Sequence, residues 1–222
     1  YQAGRYEDAE KLSLSITQEF PEHQFGWKVL GAALKQMGKI NESLVASQKS
    51  LQLEPQDAEA HNNLGVMLQE LRKLDDAEAS YRKAITLKPD YAEAYNNLGN
   101  TLKERGKLDD SEASFRKAIT LKPDYAEAHN NLGIILNELG KLKEAEVSLR
   151  QAITLKPDYA KARNNLGNML QELGRLDEAE ASYRQAITLK PDYAEAHNNL
   201  GVTLKELGRL DEACSAYIKA IN

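Results

Sequence analysis

Residues 92–125 read AEAYNNLGNTLKERGKLDDSEASFRKAITLKPDY, and these 34 letters decide the fold. The first half places Ala94, Leu98, Thr101 and Leu102 on one side at helical spacing. The second half does the same with Leu108, Ser111, Phe115, Ala118, Ile119 and Leu121. Both stripes follow the spacing of a partly buried helix, not the alternation of a strand. Gly106 follows the first stripe, where a helix C-terminal glycine belongs. Asp109 and Asp110 open the second, where carboxylates favour the positive end of the helix dipole. Pro123 then forbids continuation and biases Lys122 away from helical dihedrals. The stretch predicts a helix, a tight turn and an antiparallel helix, closed by a short proline loop.

Working outward, the same unit recurs along the chain. All six prolines, Pro21, Pro55, Pro89, Pro123, Pro157 and Pro191, lie 34 residues apart. Gly31, Gly65, Gly99, Gly133, Gly167 and Gly201 form a second grid of the same period. Gly4, Gly38, Gly106, Gly140, Gly174 and Gly208 form a third, interrupted where Arg72 stands in place of glycine. A fixed period of this length marks a stacked repeat in which each copy contacts mainly its neighbours. The predicted fold is an all-α solenoid of antiparallel helix hairpins, coiled into a right-handed superhelix. Its frame is one continuous array over 1–222: a lone second helix in 1–23 (roughly Tyr6–Glu19), full units at 24–57, 58–91, 92–125, 126–159 and 160–193, and a final hairpin at 194–222.

Interior glycine costs a helix about 1 kcal/mol relative to alanine, so Gly99 calls for a packing reason. Gly99 and Ala118 are expected on the facing sides of the two helices, letting the backbones close while Leu98, Leu102 and Phe115 fill the flanks. Arg72 implies a strained or reshaped turn. Ser43, Ser47 and Ser50 stand where later copies carry alanine and aromatic or leucine residues, and predict looser packing in that copy.

Composition narrows the partners. The net charge of −5 is spread along the chain with no basic stripe, which argues against nucleic acid. No apolar run approaches a membrane span, and no secretory signal opens the chain. The single cysteine, Cys214, forms no internal disulfide and permits a reducing compartment, so a cytoplasmic location is expected; Cys214 itself is expected to be a small buried filler. The sequence opens on Tyr1 in mid-unit and reads as a fragment of something longer.

These residues resemble the tetratricopeptide repeat family, whose pattern runs W-x2-L-G-x2-Y, then A-x3-F, A and P. Trp27, Leu30, Gly31, Leu34 and Pro55 carry it in one copy. Tyr95, Leu98, Gly99, Leu102, Ser111, Phe115, Ala118 and Pro123 carry it in another, and Leu166, Gly167, Ala179, Tyr183, Ala186 and Pro191 in a third. The resemblance implies that first helices line a concave groove. On that groove it places a tandem pair per copy: Asn62 with Asn63, Asn96 with Asn97, Asn130 with Asn131, Asn164 with Asn165, and Asn198 with Asn199. The second member matches the asparagine with which family members hold the main chain of an extended peptide, and the row is similar to the superhelical region of O-linked N-acetylglucosamine transferases. An amide suits this task because it donates and accepts in one plane. Asn100 and Asn168 stand one turn further along. The alternative is that these asparagines bond a neighbouring unit and fix the stacking.

Groove charge points to a neutral or mildly basic extended segment. Glu59, Glu93, Glu127 and Glu195 precede the pairs, and Glu70, Glu104, Glu138, Glu172 and Glu206 follow them. A lysine and arginine clamp for a terminal carboxylate, which the family also offers, would need basic residues where Glu93, Asn96 and Asn97 stand. His61, His129 and His197 recur every second unit, too far apart to share a metal ion when packed helices sit about 8–10 Å apart. They read as fillers at unit junctions, and Tyr91, Tyr125, Tyr159 and Tyr193 as loop packing. No catalytic constellation, metal set or cofactor motif is present. The expected function is a non-enzymatic module that binds an extended segment of a partner protein. The competing readings are the recognition arm of a larger group-transfer enzyme, such as a glycosyltransferase, and a scaffold that associates end to end.

Overall fold

The tight turn inside each hairpin shows how the sequence sets the architecture. Gly106 has φ of +72°; its N–H bonds the Lys103 carbonyl at 2.8 Å and the Lys107 N–H bonds the Leu102 carbonyl at 2.9 Å. Those two bonds close the first helix with a left-handed residue and turn the chain back. Arg72 adopts the same left-handed conformation, with φ of +59°. Its turn keeps the same bonds, Arg72 to Gln69 at 2.9 Å and Lys73 to Leu68 at 2.8 Å. The turn is therefore strained but not reshaped. Gly4, although on the turn grid, lies within the opening helix.

The computed structural model describes residues 2–221. Tyr1 and Asn222, the ends of the expected repeat frame, lie outside the described residues. The described residues form 13 helices and no strand. They divide into two compact units, residues 1–121 and 122–222. In unit 1, α1 (Gln2–Glu19) precedes three hairpins: α2 (Gln24–Gln36) with α3 (Ile40–Leu53), α4 (Ala58–Glu70) with α5 (Leu74–Leu87), and α6 (Ala92–Glu104) with α7 (Leu108–Leu121). Unit 2 holds α8 (Ala126–Glu138) with α9 (Leu142–Leu155), α10 (Ala160–Glu172) with α11 (Leu176–Leu189), and α12 (Ala194–Glu206) with α13 (Leu210–Ile221). The fold class is an all-α solenoid.

Four of the six hairpins close on a glycine and a ring. A Cβ added to Gly99 would lie 2.7 Å from Phe115, and one added to Gly167 would lie 2.5 Å from Tyr183. The partner of Gly99 is thus the Phe115 ring itself; Phe115 does not merely fill a flank. Tyr81, Phe115 and Tyr183 are fully buried. Removing such a ring takes about 3–5 kcal/mol from a core.

Successive hairpins within a unit are tied by a buried or half-buried carboxylate that the sequence reading missed. Glu78 on α5, 7% exposed, accepts from Arg82 at 2.9 Å on its own helix and from Lys107 at 3.1 Å beyond α6, and also pairs with Arg105. In unit 2, Glu146 accepts from Arg150 at 2.9 Å and Arg175 at 2.7 Å, and Glu180 from Arg184 at 2.8 Å and Arg209 at 2.6 Å. Its signal was legible as glutamate at one repeat position, 78, 112, 146 and 180, each followed four residues later by arginine. Cys214, expected inside, is exposed. Ala213 and Ala216 take the buried side of α13 instead.

Candidate functional site

The asparagine pairs occupy two different environments. Asn62, Asn96, Asn130 and Asn164 are buried, the last two completely. Asn97, Asn131, Asn165 and Asn199 are half-buried, and Asn63 and Asn198 are exposed. Within unit 1 the Asn97 Nδ2 donates to the Asn62 Oδ1 at 3.0 Å. Within unit 2 Asn165 donates to Asn130 at 2.8 Å and Asn199 to Asn164 at 3.1 Å. Each bond spans 35 residues, from the second member of one pair to the first member of the pair before. Asn62, Asn130 and Asn164 thus join neighbouring hairpins and orient Asn97, Asn165 and Asn199. The expectation had left that choice open.

Further along the same helices the amides form a second network. The Tyr183 hydroxyl donates to the Asn168 Oδ1 at 2.7 Å, and Asn199 donates to that same oxygen at 2.9 Å. Gln171 accepts from Tyr183 at 3.2 Å and from Thr203 at 3.3 Å, and donates to Glu206 at 3.1 Å. Asn137 donates to Glu172 at 2.7 Å, and Asn164 to Glu195 at 2.9 Å. Together Asn168, Gln171, Glu172, Glu195, Asn199 and Glu206 line a hollow of about 480 Å³ on α10 and α12. Three carboxylates and three amides border it, with no basic side chain in the lining. Asn100 is half-buried on α6, at the position equivalent to Val66 on α4 and Asn168 on α10. Burial and then the neighbouring Glu195 carboxylate push the Tyr193 hydroxyl up to about 12.

The repeating histidines have a local duty. The Nε2 of His61, His129 and His197 lies 3.1, 3.0 and 2.9 Å from the carbonyl oxygen of Pro55, Pro123 and Pro191. Trp27 donates to Pro21 at 2.8 Å and Arg163 to Pro157 at 3.1 Å from the same slot. At five of the six prolines a side-chain nitrogen six residues later thus ties down the loop that no helix can satisfy. The loop tyrosines lie under lysines: Lys88 over Tyr91, Lys122 over Tyr125 and Lys156 over Tyr159 at 4.9 Å, and Lys190 over Tyr193 at 5.2 Å. That placement is a cation–π clasp. No group of three or more histidine, cysteine, aspartate or glutamate side chains that could hold a metal ion occurs among the described residues. No described helix is long and apolar enough to cross a membrane.

Family models described as TPR repeat match residues 31–72 and 167–208. Others described as tetratricopeptide repeat match 56–124, 90–158 and 136–183, so the matches together run from 31 to 208. The chain belongs to the tetratricopeptide repeat family. Tetratricopeptide repeat proteins generally mediate interactions between proteins. A search for curated relatives found no match. Among solved structures the chain is similar to YrrB, described as a tetratricopeptide repeat protein with an unusual peptide-binding site, at 28% identity and TM-score 0.62 over 79% of this chain and 91% of that one. It is similar to a thermophilic tetratricopeptide repeat protein of Thermus thermophilus at 27% identity and TM-score 0.67, over 82% and 100% of the two chains. A chain of the APC/C hetero-tetramer Cut9–Hcn1 shares the fold, with TM-score 0.82 at 19% identity over 98% of this chain and 43% of that one.

Proposed function

We propose that the first-helix face of each unit holds an extended, neutral to basic segment of a partner protein. The observation that carries this reading is the hollow on α10 and α12, where carboxylates and amides converge with no basic group in the lining. Asn97 and Asn165 each use one Nδ2 N–H to reach the preceding pair. Their Oδ1 and second N–H are then free to meet a peptide N–H and C=O, whatever the peptide's side chains. Glu172, Glu195 and Glu206 supply charge selectivity. Asn63, Asn131 and Asn199 are the remaining rungs on this reading, an arrangement similar to that of O-linked N-acetylglucosamine transferases; Asn199, whose Nδ2 donates to Asn164 and Asn168, offers its Oδ1. The first members Asn62, Asn96, Asn130, Asn164 and Asn198, together with Asn100 and Asn168, support them. The description of YrrB as peptide-binding is consistent with this use of the fold.

The test is fluorescence anisotropy with extended lysine-containing peptides and their glutamate counterparts. The lysine peptides should bind more tightly. Replacing Glu172, Glu195 and Glu206 with glutamine should weaken that binding about tenfold, since each exposed charge pair contributes about 0.2–1 kcal/mol. Equal binding of both peptide classes, unaffected by the triple substitution, overturns the charge assignment. Exposed Leu210, Ile218 and Ile221 on α13 favour a second reading, self-association through that helix. Its check is the molecular mass by light scattering across concentrations.

A further inference from the structure

The first hairpin lacks a ring that four of the five other copies supply. Gly65, Gly99, Gly167 and Gly201 each face an aromatic side chain within 2.7 Å of where a Cβ would stand. In the copy formed by α2 and α3 that place belongs to Ser47, whose Oγ lies 2.7 Å from where a Cβ on Gly31 would stand. A hydroxymethyl group occupies a small part of the space that a phenol ring takes. Met67 reaches in from α4, its sulfur 2.8 Å from the Ser43 Oγ, whose O–H donates to the Gly31 carbonyl at 2.6 Å. A cavity of about 390 Å³ remains, bordered among others by Gly31, Lys35, Ser43, Ser47, Ser50 and Met67.

A second observation points to a ligand. Ser50 is 1% exposed, lines the cavity, and its Oγ has no hydrogen-bond partner. The corresponding residues elsewhere are the fully buried alanines Ala84, Ala118, Ala152 and Ala186. An unpaired buried hydroxyl is unfavourable, and a ligand atom or π face reaching it from the cavity would relieve that cost. The internal copies also give the pose. Tyr81 and Tyr183 direct their hydroxyls at Gln69 and Gln171, each twelve residues earlier. Twelve residues before Ser47 stands Lys35, which borders the cavity and has no ion partner among the described residues. No carboxylate lines the cavity.

We propose that this cavity binds a single phenol-class ring, in the space that tyrosine fills in three of the sister copies. The ring lies against Gly31 and Met67, its oxygen accepts from the Lys35 ammonium, and the unpaired Ser50 O–H donates to the π face of the ring on the inner wall. Two sources share this chemistry: a free small phenol, and a tyrosine side chain of a bound segment running past Asn63, which also borders the cavity. The second source rests on the peptide reading above; the first does not.

The experiment titrates the whole chain with p-cresol, followed by calorimetry and by ligand-observed saturation-transfer NMR. A dissociation constant on the order of 1 mM or tighter is expected for a ligand of this size. Ser47→Tyr supplies the missing ring and abolishes binding; Ser47→Leu, which copies Leu149, does the same if the tyrosine variant fails to fold. Ser50→Ala weakens binding about 2- to 10-fold through loss of one hydrogen bond. Paired neutral peptides carrying tyrosine or alanine separate the sources. Tighter binding of the tyrosine peptide that vanishes in Ser47→Tyr assigns the side chain, whereas p-cresol binding without peptide discrimination assigns the free ring. If peptide binding is absent while p-cresol binds, the groove reading fails and the cavity stands. No p-cresol binding at about 10 mM, or equal binding to the parent and the filled variants, overturns the proposal.

Discussion

The hairpins α2–α3 and α10–α11 share one backbone plan and differ in what lies between their helices. In α10–α11 the Tyr183 ring covers Gly167 and its hydroxyl organises Asn168 and Gln171. In α2–α3 Ser47 stands in the ring's place, Lys35 in that of the glutamine and Ala32 in that of the asparagine. One substitution of a ring by a hydroxymethyl group thus removes both a packing contact and the anchor of an amide network. The backbone repeats because glycine, alanine and proline repeat; the chemistry between the helices varies because the ring position varies.

The largest test converts one hairpin into the other. Tyr183→Ser should destabilise unit 2 by about 3–5 kcal/mol, the range for deleting a buried ring, read as the urea midpoint. A loss below about 1 kcal/mol would break the comparison. Gly99→Leu should cost roughly 1–3 kcal/mol in a thermal melt, because the added side chain meets Phe115. Gly31→Ala meets only the movable Ser47 hydroxyl closely, so its melt should match or exceed the parent's, helped by helix propensity.

The fold and the recognition face were unequally legible. Helix boundaries, turns and the glycine faces followed from residue types with narrow conformational ranges, such as Gly106 and Pro123. The roles within each asparagine pair did not, because Asn164 and Asn165 are the same residue type one position apart. A rotation of about 100° per residue buries one and leaves its neighbour half-buried. The cavity's extent depended on how far Met67 reaches, which no spacing in the sequence records.

Acid separates the hairpins again, since Glu78 has no counterpart in α3, where Leu44 stands. Burial raises the Glu78 pKa, but hydrogen bonds from Arg82 and Lys107 outweigh it and hold the carboxyl below its usual range. Hydrogen bonds from Arg175, and then from Arg150 against the opposing effect of burial, lower Glu146 in unit 2. A depressed folded pKa contributes stability above the unfolded value of about 4.3, lost as pH falls through the folded value. Glu78→Gln should cost about 1–2 kcal/mol at neutral pH and flatten the decline of the thermal midpoint below about pH 4. An unchanged acid profile would remove the clasp from the argument.

The smallest effect concerns the turn between α4 and α5. Arg72→Gly should stabilise by about 0.5–1 kcal/mol, because relief of left-handed strain exceeds the added freedom of the unfolded chain. The ion pair to Glu104 lost with it joins two partly solvated groups, Arg72 being 79% exposed, and contributes little. A lower melting temperature for this variant would show that the pair outweighs the strain.

The amide bond from Asn199 to Asn164 repeats that from Asn165 to Asn130 at an identical separation. Fastening therefore belongs to the seam between neighbours and not to any named residue. Excising residues 160–193 would bring Asn199 into register with Asn130, and the seam would reseal unaltered. A lineage built this way can lengthen or shorten its reach in whole steps of 34 letters, by duplication or loss, while keeping this one amide bond at each new seam.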